Sequence, residues 1–177
     1  MTSDPGSLEP DTKDWTWVLE RACEECGFDA AAYDRHAIPR GFRNNAQVWF
    51  ALLGDSAAGE RARPDRWSTL EYACHVHDVH RIYHDRVTLM LTEDNPAFAD
   101  WDQDATAVER QYWRADPHLV SREVTVAFEA AATAYALPSG PEWEWPARRS
   151  NGSLFTARTL ALYFVHDIRH HLWDVTA

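Results

Sequence analysis

Lysine occurs once in this 177-residue chain, at Lys13, and cysteine only three times, at Cys23, Cys26 and Cys74. Three cysteines cannot build a disulfide framework, and a chain of this size does not need one, because it can bury roughly 70% of the surface its unfolded form exposes. The cysteine count therefore fits a reducing, cytoplasmic setting. Valine and isoleucine are sparse and polar–apolar alternation is never sustained, which argues against a sheet-based fold. No uninterrupted apolar run reaches the roughly 18 residues of a membrane span, and no basic start leads into a signal-like stretch. The longest charge-free stretches, such as 46–54, have the length of core helices. Positive charge is also in deficit. Seventeen basic residues against twenty-eight acidic ones leave a net charge of −11, which disfavours nucleic acid and anionic membrane surfaces as partners. With 45% hydrophobic and 25% charged residues the chain is of ordinary globular composition, enough for one domain. The single lysine against sixteen arginines and the abundant alanine suggest a high-GC bacterial genome.

Two residue types are over-supplied. There are nine tryptophans and nine histidines, and seven of the histidines fall within residues 75–84 and 166–171. Any chemistry has to be sought there first.

The local signals are helical. Residues 1–37 read as an N-terminal arm: a polar stretch with Pro5, Gly6 and Pro10, then a Trp-rich turn and Cys23-Glu-Glu-Cys26-Gly27. The remainder, 38–177, reads as a bundle. A first long helix is expected from Pro39 to Leu53, where Phe42, Ala46, Trp49 and Leu53 repeat at three and four residues. Ser68 and Glu71 form a capping-box signature that opens a second helix running to Glu93. A long connection follows, with room for one or two helical turns between Thr106 and Trp113. Asp116-Pro117 starts a third helix that ends near Leu137, ahead of Pro138-Ser-Gly-Pro141. Residues 141–155 are expected to be a loop with a turn at Asn151-Gly152, and Thr156 caps a fourth helix reaching Val175. The expectation is an all-α four-helix bundle with an N-terminal arm and a long crossover between its second and third helices.

Sorted by face at 100° per residue, His75 falls on the apolar stripe of the second helix with Val79, Ile82 and Met90. His77, His80 and His84 fall on the other side, where His80 and His84 form an H-x3-H pair on a face that looks solvated. On the last helix, His166 and His170 lie one turn apart, the spacing a chelate needs. That helix is apolar nearly all round. Inward histidines are often hydrogen-bonded core residues, but three imidazoles crowded into an apolar core cannot all find acceptors, and a metal ion removes that cost. His75, His166 and His170 are therefore the candidate ligands, and three ligands with an open position is the catalytic pattern.

The run Trp67-Ser68-x-x-Glu71-x-x-x-His75 on the second helix, with His166-Asp167-x-x-His170-His171 on the last, resembles the DinB-like (YfiT-type) metal-binding four-helix-bundle superfamily. The resemblance spans roughly residues 38–175. It implies an up-down-down-up bundle and a divalent metal, usually zinc or nickel, carried by His75, His166 and His170. It also implies a reaction in which the metal activates water or a low-molecular-weight thiol for attack on a small electrophile, with thiol S-transferases among the characterised members. A non-catalytic metal- or small-ligand-binding bundle, acting as a stress-associated dimer, is the alternative.

Around this centre, Glu71 and Asp167 are candidate acceptors for imidazole N–H groups. Trp67, Trp101 and Trp145 are candidate pocket walls, against the plainer reading of core cover. Arg148 and Arg149 are candidates to grip an anionic substrate group, against the plainer reading of a solvated loop. His171 reads as a rim residue. One Cys23-x2-Cys26 is open to three readings: an inert structural pair, a redox pair, or half of a metal site. An apolar helix face permits a homodimer without demanding one.

Overall fold

A computed structural model describes residues 5, 6, 8, 9, 11 and 13–177. Five α-helices carry the fold: α1 (Ile38–Leu52), α2 (Thr69–Thr92), α3 (Gln103–Glu109), α4 (Pro117–Ala134) and α5 (Ala157–Thr176). Each long helix after α1 starts where side chains satisfy its free N–H groups. Ser68 Oγ accepts from the Glu71 N–H at 3.2 Å while Glu71 Oε2 accepts from the Ser68 N–H at 2.8 Å. Asp116 caps α4 ahead of Pro117, and Thr156 caps α5 in a reciprocal pair with Thr159. Only α1 begins without a side-chain cap; it continues from a 3-10 turn at Arg35–Ala37 that Asp34 caps.

The four long helices form an up-down-down-up bundle in which α4 and α5 each pack against both α1 and α2. Ile38, Phe42, Ala46 and Trp49 carry the buried stripe of α1. Phe42 sits 4.6 Å from Phe164 of α5 and 5.6 Å from Tyr135 just beyond α4, ring centre to ring centre. Aromatic pairs of this kind add roughly 0.5–1.5 kcal/mol each beyond the area they bury, and they tie three helices at one point. No described helix is long and apolar enough to cross a membrane.

The crossover between α2 and α4 is where the sequence gives least warning. It holds α3, a 3-10 turn at Tyr112–Arg114, and a strand. The absence of strands expected from composition is corrected here. β1 (Ala97–Phe98) pairs in parallel with β2 (Pro146–Arg149), which pairs antiparallel with β3 (Leu154–Thr156). The expected loop at 141–155 is thus largely a hairpin, turning at Asn151-Gly152, where Gly152 takes φ +97°. Strands of two to four residues are too short to show alternation, so periodicity could not reveal them.

Residues 15–37 pack against the bundle. A 3-10 turn at Trp15–Leu19 lies on α5, and Val18, Cys23 and Phe28 are buried. The polar stretch before it lies partly outside the described residues.

Candidate metal centre

Helix α5 presents two overlapping i, i+4 pairs, and they point to different neighbours. Asp167 and His171 face α2, where they meet His75. His166 and His170 are turned 100° away, toward the N-terminal segment, where they meet Cys23 and Cys26. Within each group one ligand atom per residue lies within 4.8 Å of every other. The expected set of His75, His166 and His170 is therefore not brought together: the structure divides it between two clusters. The physical reason is the helical period. Moving one residue along α5 preserves the chelating spacing but rotates it by more than a quarter turn, and a helix apolar all round offers no polarity contrast to fix which pair faces α2.

The first cluster is built on a short N–N approach. His75 Nε2 and His171 Nε2 stand 3.0 Å apart, and Asp167 Oδ1 lies 3.8 Å from His171 Nε2. His171 Nδ1 is paired with Asp174 Oδ2 at 3.1 Å. That contact makes Nδ1 the donor and leaves Nε2 facing His75. His75 is fully buried, its ring stacked 5.3 Å from Trp101 at 9° and 5.2 Å from Trp67. Burial depresses the His75 pKa well below the ordinary value, and the nearby His171 adds to this. At His171 burial pulls the same way, but the carboxylates of Asp167 and Asp174 outweigh it and hold the imidazolium above its usual range. Burial raises the Asp167 carboxyl.

This donor set fits a divalent ion. Asp167 Oδ2 and His75 Nδ1 have no hydrogen-bond partner although both are buried. A carboxylate raised by burial and two facing imidazoles are held at a cost that a cation removes. His75, Asp167 and His171 would hold the ion, and Asp174 would orient His171.

The cluster opens into a cleft of about 800 Å3, in the size range of small-molecule sites. Trp67, Trp101 and Arg149 line it, whereas Trp145 borders a separate hollow with Leu91 and Pro146. Eight carboxylates against three cationic side chains line the cleft, so its field favours cations and neutral molecules over anions. Arg149 has a partner there, Asp100, at 3.8 Å and lies over the rings of Phe155 and Tyr163; Arg148 is exposed on β2. Glu71 is engaged elsewhere: beyond the α2 cap it takes a two-pronged salt bridge from Arg61, at 2.5 and 2.9 Å. Cys74 is buried away from both clusters, and burial pushes its thiol up to about 12. The reading of His80 as solvated is corrected: it is fully buried, stacked 3.5 Å from Phe128 of α4, with Nδ1 on the Val76 carbonyl at 2.7 Å, whereas Arg81 and Thr88 on the same side are exposed and His84 is half-buried. His80 belongs to no described metal-holding group. Phe128 of α4 covers His80, so that position is core while Arg81, Asp85 and Thr88 stay at the surface.

Comparison with known proteins agrees with this architecture. No protein-family model matches the chain, and no curated protein matches it in sequence. Among solved structures, YfiT from Bacillus subtilis, described as a probable metal-dependent hydrolase with an unusual four-helix bundle topology, superimposes with a TM-score of 0.66. The match covers 96% of this chain and 90% of that one at 16% identity. The chain has the YfiT fold. The YfiT-like bundle accounts for the order of the four long helices and for the long crossover, and at this identity the likeness concerns the fold alone.

Two positions of this cluster escaped the sequence reading. His171 looked like a rim residue and Asp174 was not considered. Neither could be singled out from spacing, since Asp174 follows His171 by three residues and His170 by four and so lies one turn beyond both pairs.

Proposed function

We propose that this protein is a divalent-metal-dependent enzyme in which His75, Asp167 and His171 hold a zinc or nickel ion at the floor of the cleft. The observation that carries the reading is the convergence of two imidazoles and a carboxylate with one unpartnered oxygen beside a cleft large enough for a small molecule. When bound, a divalent ion supplies an acidified water or a deprotonated thiol as a nucleophile at neutral pH. The chain supplies the rest. Asp174 fixes the His171 tautomer. Trp67 and Trp101 press on the His75 ring and exclude water from one side of it. The acidic lining selects a neutral or cationic electrophile. Water as nucleophile makes the protein a hydrolase, the class named for YfiT; a low-molecular-weight thiol makes it an S-transferase.

The test is metal-loaded protein against a panel of neutral esters, amides and strained electrophiles, with and without added thiols. Turnover that needs the metal and falls at least about 100-fold in both His75→Ala and His171→Ala is the expected result. Turnover that appears only with thiol selects the transferase form. Stoichiometric metal without turnover on any substrate overturns the enzymatic reading and leaves a metal-binding bundle.

A further inference from the structure

We propose that Cys23, Cys26, His166 and His170 form a second metal site, a structural zinc clip that fastens the N-terminal segment to α5. This site is separate from the His75 cluster and does not depend on it. The sequence left Cys23-x2-Cys26 without assigned partners, because a four-ligand site needs two more donors and only Cys74 and scattered histidines remained. The fold brings them from the far end of the chain. All four ligand atoms lie within 4.8 Å of one another, and Cys23 Sγ stands 3.7 Å from His170 Nδ1. Zinc–sulfur bonds of about 2.3 Å and zinc–nitrogen bonds of about 2.0–2.1 Å put the corners of a tetrahedral site roughly 3.3–3.8 Å apart, so the cluster needs little contraction to close.

The surroundings match a zinc site more closely than a redox pair. Both cysteines are free thiols, held in a turn instead of at the start of a helix. The turn is closed by the Gly27 N–H donating to the Cys23 carbonyl at 2.9 Å and the Cys23 N–H donating to the Phe28 carbonyl at 2.8 Å. Gly27 takes φ +67°, which a residue with a side chain adopts with strain. Burial pushes the Cys26 thiol up to about 11, and the Phe28 N–H directed at its sulfur opposes that rise. His166 Nε2 is buried with no hydrogen-bond partner. His170 turns Nδ1 to Cys23, while its Nε2 lies 3.5 Å from Glu25 Oε2, the carboxylate–imidazole arrangement that orients metal-bound histidines. Trp15 covers the cluster, its ring 5.4 Å from that of His166 and 4.8 Å from that of His170.

Two thiolates and two imidazoles without an oxygen donor select a softer ion than the His75 cluster does, and zinc is the usual occupant. Binding breaks two S–H bonds and forms two Zn–S bonds; the two protons go to solvent, and the thiolate charges cancel the dication. Because His166 and Asp167 are neighbours on α5, the clip also fixes the rotation of α5 that aims Asp167 and His171 at His75.

The test uses the full chain, stripped of metal and reloaded with zinc or cobalt(II) alone. The expected wild-type stoichiometry is about two ions per chain, with a sulfur-to-cobalt charge-transfer absorption. His75→Ala retains that absorption and one ion; Cys26→Ser, at a half-buried position, loses the absorption and retains the other ion. In wild type, zinc slows modification of Cys23 and Cys26 by a thiol reagent, and a chelator restores it. If Cys26→Ser does not fold, the cobalt spectrum of His75→Ala decides alone. A reloaded His75→Ala protein with no thiolate band and freely reactive cysteines overturns the proposal. So does a Cys23–Cys26 disulfide that forms readily in the presence of zinc.

Discussion

His171 offers Nε2 to His75 Nε2 across 3.0 Å while its other ring nitrogen is held by Asp174 at 3.1 Å. Without an ion one of the two facing nitrogens has to carry a proton, and the carboxylates around His171 settle which ring is the more basic. A bound ion would displace that proton and use both lone pairs, and Asp174 would act on it only through the ring it orients. Replacing it by asparagine, which keeps the shape and removes the charge, is expected to weaken metal affinity about 10–100-fold while the helical spectrum is unchanged. Competition titration against a chromophoric chelator measures this. An unchanged affinity would show that the Nδ1 contact does not set the ligand.

Not every buried histidine in this core is a ligand, and His80 supplies the control. It lies one residue beyond Val79, on the opposite side of α2 from His75, stacked on Phe128 with one nitrogen on the Val76 carbonyl. His80→Ala is expected to leave the metal content intact and to lower stability by about 2–4 kcal/mol, as large-to-small changes in packed cores do. Elemental analysis alongside denaturant unfolding separates the two effects. His75→Ala should show the reverse pattern, with the metal lost.

The difference between these two histidines marks how far the sequence could be read. Capping signals are local, so Ser68–Glu71, Asp116-Pro117 and Thr156 located the starts of α2, α4 and α5, and the apolar period placed α1. His75 was legible as well, because it shares a stripe with Val79 and Met90. What could not be read was rotation. Helix α5 is apolar on nearly every side, so nothing in its own pattern chooses between the pair 166/170 and the pair 167/171. Helix α4 covers His80 on α2, so one position of a polar-looking face turns out to be core while Arg81 and Thr88 beside it stay exposed. The histidines beside Cys23 and Cys26 lie far away in sequence, Cys23 and His170 being 147 residues apart, and only tertiary packing reveals them.

Trp101 makes a different kind of contact with the site. Its indole is nearly parallel to the His75 ring and its Nε1–H donates to Thr106 Oγ1 at 2.8 Å, which fixes the plane from α3. It touches a ligand by its face and lines the cleft. Trp101→Leu is therefore expected to leave metal stoichiometry unchanged and to raise KM for a cleft-binding substrate more than it lowers kcat. Steady-state kinetics with matched metal loading checks the split. Loss of the ion in this variant would mean that stacking, not ligation, holds His75 in place.

Asp78 is one carboxylate whose burial and hydrogen bonds make the fold acid-sensitive. Its carboxylate is buried on α2 and takes hydrogen bonds from Arg110 and from the Tyr112 hydroxyl, with His77 beside it. Burial alone would raise the carboxyl, but the hydrogen bonds from His77, Tyr112 and Arg110 outweigh it and hold the pKa down to about 2. In the unfolded chain an aspartate titrates near 3.9, so the folded state binds its proton less readily, and the difference contributes on the order of 2 kcal/mol. A depressed pKa gives stability that is fully present above about pH 4 and is lost as pH falls from there toward 2. Unfolding free energy measured between pH 6 and 2.5 should accordingly decline through that window. Asp78→Asn should lie lower at neutral pH, by about 2–4 kcal/mol, because Arg110 and Tyr112 lose their anionic partner. Its curve should also be flatter in acid, since this group no longer titrates. The slope discriminates: a variant as steep as wild type below pH 4 would place the acid sensitivity on other carboxylates and remove Asp78 from that role.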